Sequence, residues 1–597
     1  MMKGRLVLMT LERIDAEMQR RADWHRPQTH LIADYYRIRR KIAYPLPLRE
    51  MILPNLPVAG IAAYPWSIWV LWDFEERVNS LGWVGTWFAD SDAQKLVVRD
   101  LDALASWPCY RQYERPDLSL GHCARLMWQA YRQWPWLGDV LRAKIEDAFG
   151  RMIADALPYS DEHHGAFATK SDILLLPDPH SVLHNIPLIG TVGIALAAHT
   201  IGHEAAPVLD QRLHAVMGAI LDLRESGHSE GVGYDGYIMD FIAHWLQTLN
   251  GADQKPIIDH PRFNDLIDES IALAAPGDVA NVAKIGDVEP REMPYHLSAH
   301  AKLWPLTQDP RASWLLAHCR VDWLRADALA AMRPLLGGWA TQEPFAGALD
   351  AHYATVVRSG WEREDLAVVM STSNSPMGHL QNDSGSLLIG SHGRWLIDDP
   401  GYQQYLKKTE RAFTLGASAH NTPVINGHAQ VRKLSERGVE RETIGQNIHR
   451  MTVDLTACYP ESLALKRVAR TVWAKDKNLV VVLDEVSGET LESVNYHWHG
   501  HPDAAWWVAD NWARIYFADV TLWVTSPQAE LSDADIDRLP GSRGQLTLCT
   551  SVPKEATAIW WVFKLGGRPP SVACDGRGIT IEGQYFNRLT QRGQNGE

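Results

Sequence analysis

The residues best suited to chemistry lie together between Gly378 and Gly401, in the stretch GHLQNDSGSLLIGSHGRWLIDDPG. His379, Gln381, Asn382 and Asp383 fall within five residues, two strand-like runs follow, and the stretch ends on Asp398-Asp399-Pro400-Gly401. Histidine titrates near neutrality and can give or take a proton at working pH. Amides and carboxylates beside it can donate, accept and orient. Such a loop is either a catalytic lip on a sheet or a solvated turn, and residue types alone leave both open. A second cluster, NYHWHGHPD, places His497, His499 and His501 on one face if the segment is extended. That face could bind a metal, but the spacing offers no familiar fourth ligand, so a strand end near a sheet edge is expected. Tryptophan is the third signal, with 25 against 11 phenylalanines. Indole faces stack on the C–H faces of sugars, and they also fill large helical cores. The densest run, YPWSIWVLWDFEERVNSLGWVGTWF (Tyr64 to Phe88), fits either an end wall of a saccharide site or two packed helices.

These residues need elements to hold them. At 597 residues the chain is too long for one core. Hydrophobic content of 46% and charged content of 22% are those of a soluble globular protein. A net charge of −14 argues against a nucleic-acid or anionic-membrane surface, and no run is long enough to span a bilayer. Six scattered cysteines (Cys109, Cys123, Cys319, Cys458, Cys549, Cys574) point to reduced thiols. The start, MMKGRLVLMTLERIDAEMQRR, has only a short apolar run before charges begin, so a cytoplasmic location is expected.

The period of the apolar residues changes along the chain. QRLHAVMGAILDLRESG sets Leu213, Val216, Met217, Ile220 and Leu221 on one helical face, and Gly227 ends it. IPLIGTVGIALAAHTIG, DFIAHWLQTLNG and SWLLAHCRVDWLRADALAAM read the same way. After LLGGWATQEPFAG the pattern turns to short β-branched and aromatic runs such as LAVVMST, NLVVVLDEV and AIWWVFKL, separated by turn signals. Helices followed by strands without alternation mean two domains. The expected organisation is a helical domain over 1–335, a linker over 336–347, and an antiparallel β-sandwich over 348–597.

The motifs narrow the reading further. Arg358-Ser359-Gly360, the loop His379-Leu380-Gln381-Asn382-Asp383, Asp399-Pro400-Gly401 and Ala419-His420-Asn421-Thr422, with Gly427 and Gln430, resemble in order and spacing the C-terminal region of the heparinase II/III-like superfamily. In the helical half, HSEGVGYDGY (His228 to Tyr237) and LHNIPLIGTVGIALAAH are similar to shorter segments of that family. The resemblance implies an N-terminal (α/α) toroid, a C-terminal β-sandwich, an active cleft between them, and β-elimination at a uronic acid. That chemistry needs a donor on the sugar carboxylate, a base for the α-proton and an acid for the leaving oxygen.

The resemblance also implies roles. Asn185 matches the carboxylate-binding amide, with His184 assisting. Tyr234 matches the catalytic tyrosine, with Tyr237 as the rival or a substrate contact, and His379 is the other proton-transfer group. Glu230, Arg358 and Gln381 are the expected supporting or substrate-binding residues. No cofactor is required. A structural zinc in some members would fall on Gln381, Asp399 and His420. Glutamine is a poor zinc ligand, so a hydrogen-bond network is expected there. The implied partner is a uronate-containing oligosaccharide or polysaccharide, cleaved from one end, with a homodimer as the assembly considered. Two other readings stay open. One is a glycoside hydrolase on an α/α toroid using a pair among Asp178, Glu230 and Asp235, and the other is a carbohydrate-binding protein whose site has decayed.

Overall fold

The computed structural model describes residues 8–28, 66–111, 116–163, 169–288, 294–339, 342–372, 379–402, 412–431, 439–445, 447–539, 544–553, 555 and 557–588. Tyr64 and Pro65 of the tryptophan-rich run, and the first residues of the chain, lie outside them. The chain divides into two compact units. One is built from Val7–Ile267 and Arg291–Gln342, the other from Asp268–Pro290 and Glu343–Glu597.

The first unit is helical. Helices start where the sequence supplies caps: Asp90 accepts from the Ala93 N–H ahead of Ser91–Ala105, and Asp117 from the Leu120 N–H ahead of Leu118–Gln133. Six described helices pack in series: Trp66–Trp87, Leu118–Gln133, Asn185–Ile201, Gly231–Leu246, Tyr295–Thr307 and Ala326–Met332. The last packs back on the first, so they close a ring. Leu11–His25, Ser91–Ala105, Asp139–His163, Ala206–Leu223 and Pro310–His318 pack outside it, as in an α/α toroid. Burial follows this layering. Every residue of Gly231–Leu246 is buried, whereas Ser91–Ala105 buries a single stripe. Charged pairs bind the inner helices together. Arg125 joins Glu75 to Asp240, and Lys302 joins Asp240 to Asp327, all within the buried ring. Burying such charges is tolerated because each is paired.

The described strands of the second unit pair antiparallel. Its eight-stranded sheet includes the strands Leu465–Lys475, Leu479–Gly488 and Ala558–Leu565. One face, with Val480, Val482, Trp561 and Phe563, shares a core with Val368, Leu387 and Ile389 of a five-stranded sheet and with Val494 and Trp498 of a four-stranded one. The other face, with Val481, Leu483 and Trp560, packs on Ile579, Ile581 and Phe586 of a three-stranded sheet. A strand covered on both faces needs apolar side chains at successive positions, which explains the unbroken run LVVVL.

The change of period near 336–347 does not describe one segment. Asp268–Pro290, embedded in the helical half of the sequence, belongs to the β unit. It carries the hairpin Ala274–Ala275/Asp278–Val282, turned at Gly277 (φ +82°). The Gly277 N–H donates to Trp361 O, and Pro276 O accepts from the Gly393 N–H. Two strands of two and five residues are too short to register as a change of period. The stretch SWLLAHCRVDWLRADALAAM, read as continuous helix, is broken between Pro310–His318 and Ala326–Met332. The hairpin after the His379 loop is turned by His392 and Gly393 (φ +57° and +75°), not by Asp399-Pro400-Gly401, which follows its second strand.

Candidate functional site

In the helical unit two helix starts are tied together. His184 is the half-buried N-cap of Asn185–Ile201, so Asn185 is not the cap but the first helical residue. Glu230 stands just before Gly231–Leu246. Its Oε1 accepts from the Asn185 backbone N–H over 2.9 Å, and its Oε2 from the Asn185 amide over 2.6 Å. Glu230 and Asn185 are both buried. Asp235 secures Glu230 in turn: its Oδ1 accepts from the Glu230 N–H over 3.1 Å, and its Oδ2 from Arg224 and Ser229. The result is an amide held in one orientation by a charged acceptor. Beside it, His180 and His228 stack with ring centroids 5.1 Å apart and Nδ1 atoms 2.8 Å apart, so one ring donates to the other. Burial lowers the His180 pKa, and Asp178 opposes that in part. PDPH matches no spacing rule, so the sequence carries no signal for this histidine pair.

The two tyrosines differ in surroundings. Tyr234 lies in the first turn of Gly231–Leu246 and is 7% exposed. Tyr237, one turn on, is enclosed by the ring. It stacks on Tyr295 at 4.4 Å, meets Trp72 edge-on, and hydrogen-bonds His122 through its hydroxyl. Burial pushes its pKa well above the ordinary value. Tyr237 is therefore a core residue and not the substrate contact expected of it. Such a phenol is unsuited to act as a base.

In the β unit, His379 follows the strand Ala367–Ser371 and meets the segment Ile285–Val288. Its Nδ1 is 3.0 Å from Asp287 Oδ2, and the Asp287 N–H donates to His379 O over 2.7 Å. The Asp287 side chain is fully buried, whereas that of His379 is 18% exposed. Gln381 donates its amide to Asp287 Oδ1 over 2.8 Å. Gln381 is itself buried and acts on His379 through Asp287. Gly286 makes the approach possible. Its φ is +75°, and a Cβ there would lie 2.6 Å from His379 O. With Nδ1 donating to the carboxylate, proton exchange falls to Nε2. KIGDVEP carries no signal that would place Asp287 beside a loop 92 residues on.

Arg358 also departs from expectation. It is fully buried, and its Nη2 donates to the carbonyls of Ile271, Ala272 and Ala274. Its guanidinium lies 3.8 Å over the Trp361 ring. Burial brings its pKa down to about 9, with Asp365 opposing. It clasps the 271–274 backbone to the sheet and is out of reach of a substrate.

The positions matching a zinc site form a hydrogen-bonded brace. His420 Nδ1 is 2.9 Å from Asp399 Oδ2, and Asp399 Oδ1 accepts from the Gly401 N–H over 2.8 Å. Burial works against charge on His420, but Asp399 outweighs it and the pKa is raised. With both Asp399 oxygens engaged and Gln381 in the third position, the donors do not fit zinc. Among the described residues no group of three His, Cys, Asp or Glu could hold a metal. His499 is likewise occupied, with Nδ1 on Thr547 and Nε2 on Ser418 O, and burial lowers its pKa to about 4. All six cysteines are free thiols, and among the described residues no helix is long and apolar enough to cross a membrane.

A helical ring followed by layered antiparallel sheets defines the class: the chain has the heparinase II/III-like fold. Within it, residues 340–587 match the family described as Heparinase II/III-like, C-terminal. Similar solved structures include the heparan sulfate lyase HepC of Pedobacter heparinus, 13% identical over 97% of this chain and 94% of that one, with a TM-score of 0.57. A heparinase III is 11% identical over 96% and 97%, with a TM-score of 0.58. A second heparinase III structure is 14% identical over 98% and 92%, with a TM-score of 0.59. No curated protein matches the chain by sequence.

Proposed function

We propose that this protein is a polysaccharide lyase that breaks a glycosidic bond beside a uronic acid by β-elimination, acting from the end of short oligosaccharides. The observation that carries this reading is the Asp287–His379 pair: a partly exposed imidazole whose Nδ1 is anchored on a fully buried carboxylate. Such a ring exchanges a proton at one nitrogen, in one orientation. In the reaction, the Asn185 amide binds the sugar carboxylate and lowers the cost of the enolate. His379 Nε2 takes the α-proton, and the electron pair forms the enolate and then expels the glycosidic oxygen. Tyr234, whose phenol carries a proton that it can donate, protonates that oxygen. A 4,5-unsaturated uronate and a new reducing end result, and no metal takes part.

The hydrolase reading is less well supported. It needs two carboxylates at the scissile bond. Glu230 has both oxygens on Asn185, and Asp235 has both on neighbouring donors. The deciding experiment is a panel of uronate-containing oligosaccharides and polysaccharides followed by ultraviolet absorbance. The expected result is an absorbing product that His379→Ala abolishes, with mono- or disaccharide released from the first minutes. Saturated ends, or no product from any member, would overturn the reaction. Rapid viscosity loss on polymer would overturn the exo mode alone.

A further inference from the structure

The tryptophan-rich run of the first half has no part in the chemistry above. Trp69 and Trp72 from that run, with Trp24 and Trp323, line a cavity of about 460 Å³ within the helical unit. Trp24 is 61% exposed, and the other three are half-buried. Solvent-facing indoles around a cavity are costly unless a ligand uses their faces.

The cavity lies at a defined end of the ring. Trp69 and Trp72 fall in the first two turns of Trp66–Trp87. Pro294 and Arg325, also in its wall, directly precede the inner helices Tyr295–Thr307 and Ala326–Met332. Outer helices return the chain between inner ones, so the inner helices run the same way. The contacts Trp72–His122, His122–Tyr237 and Tyr237–Tyr295, all between early residues of inner helices, confirm that their starts gather together. Asn185 and Tyr234 stand at the starts of their own helices. The cavity, Asn185 and Tyr234 therefore share one end of the ring.

Charge decides what the cavity can hold. Its arginines are all engaged with glutamates. Glu17 clasps Arg20 at 2.7 and 2.6 Å and also meets Arg21 at 2.7 Å, Glu76 meets Arg21 at 2.5 Å, and Glu75 meets Arg325 at 3.2 Å. Asp73 and Asp322 also line the wall, Asp322 held by Arg320 at 3.0 and 2.6 Å, so the cations around the cavity are matched by carboxylates. Among the described residues, no excess of positive charge lines the cavity. A sulfate ester would meet engaged guanidiniums and repelling carboxylates, while the hydroxyls of a neutral ring find acceptors.

We propose that this cavity is a subsite for an uncharged pyranose, a neutral hexose or N-acetylhexosamine, and that it excludes sulfated rings. The proposal deepens the saccharide reading above. It is tested by equilibrium binding in the full-length His379→Ala protein, followed by tryptophan fluorescence and titration calorimetry. The probes are an unsulfated glucuronate–N-acetylhexosamine tetrasaccharide and the same backbone sulfated on each hexosamine. The unsulfated probe is expected to bind about tenfold or more tightly than the sulfated one. Trp24→Ala, an exposed position that does not threaten folding, is expected to weaken it about fivefold, with Trp323→Ala as the second variant. Equal or tighter binding of the sulfated probe, unchanged affinity in both tryptophan variants, or no binding of either probe would overturn the proposal. The readout needs no turnover, so the two readings fail separately. A wild-type enzyme that forms unsaturated product while its tryptophan variants keep full affinity loses only the subsite. Tight, tryptophan-dependent binding without any product loses only the lyase.

Discussion

At the scale of the residue, the proposed chemistry rests on side chains held by buried carboxylates: His379 by Asp287, and Asn185 by Glu230. Replacing His379 with Ala, or Tyr234 with Phe, is expected to lower turnover about 10²–10⁴-fold. Asp287→Asn should cost about 10²-fold while substrate binding changes little, because the imidazole loses its orientation and its charge partner. Wild-type turnover in Asp287→Asn would show that the pair is structural. Tyr237→Phe should act differently, since its hydroxyl serves His122 inside the ring. It should lower stability by about 1–3 kcal/mol, read by urea unfolding, with kcat largely kept. The reverse outcome would move the catalytic tyrosine by one helical turn. Asn185→Ala should reduce kcat more than it raises KM, by the equivalent of roughly 3–4 kcal/mol, because its amide gains most as charge builds on the carboxylate.

At the scale of the element, one glycine sets the distance between two segments. Gly286 carries a left-handed φ, and its missing Cβ leaves room for the His379 carbonyl and Leu380. Gly286→Ala is expected to displace Asp287 from the loop and to destabilise the protein by more than about 1 kcal/mol. Turnover should fall more steeply than the folded fraction, which circular dichroism beside the ultraviolet assay would measure. An alanine variant with normal kcat would mean that the loop adjusts without disturbing the pair. The Asn185–Glu230 bonds do the equivalent work in the ring, where they tie the starts of two helices.

At the scale of the whole molecule, buried histidines govern the response to acid. Burial is the largest influence on His122, His296, His300 and His499, and it brings their pKa values down to about 4, 4, 3 and 4 from an ordinary 6.5. Between those values the unfolded chain binds protons that the native protein refuses. Stability is therefore intact above 6.5 and is lost as the pH falls toward 4, by up to about 1.4 kcal/mol per pH unit for each group. Glu75 adds a lower window. Burial would raise its pKa, but Arg125, His122 and Arg325 outweigh that and hold it at about 2, so its contribution is lost as the pH falls below 4.5. Urea midpoints should drop steeply from about pH 7 to about pH 5. Equal midpoints at the two values would contradict the burial of these rings.

Much of this was legible in the sequence, because helix faces, strand alternation and capping residues are local. The period of apolar residues separates the helical half from the β half, and the motifs around His379, Asp399 and His420 are found through their resemblance to a family. The resemblance of two short segments to the heparinase II/III-like family makes Asn185 and Tyr234 candidates. Local pattern could not assign Tyr237 to the core or Arg358 to a backbone clasp, because burial is decided by what packs over a residue. Nor could it find Asp287, the His180–His228 pair, or the membership of Asp268–Pro290 in the β unit. Each depends on groups that lie far apart along the chain. Backbone preference and side-chain period act over a few residues, whereas a hydrogen bond across 92 residues exists only once the tertiary structure has brought its ends together.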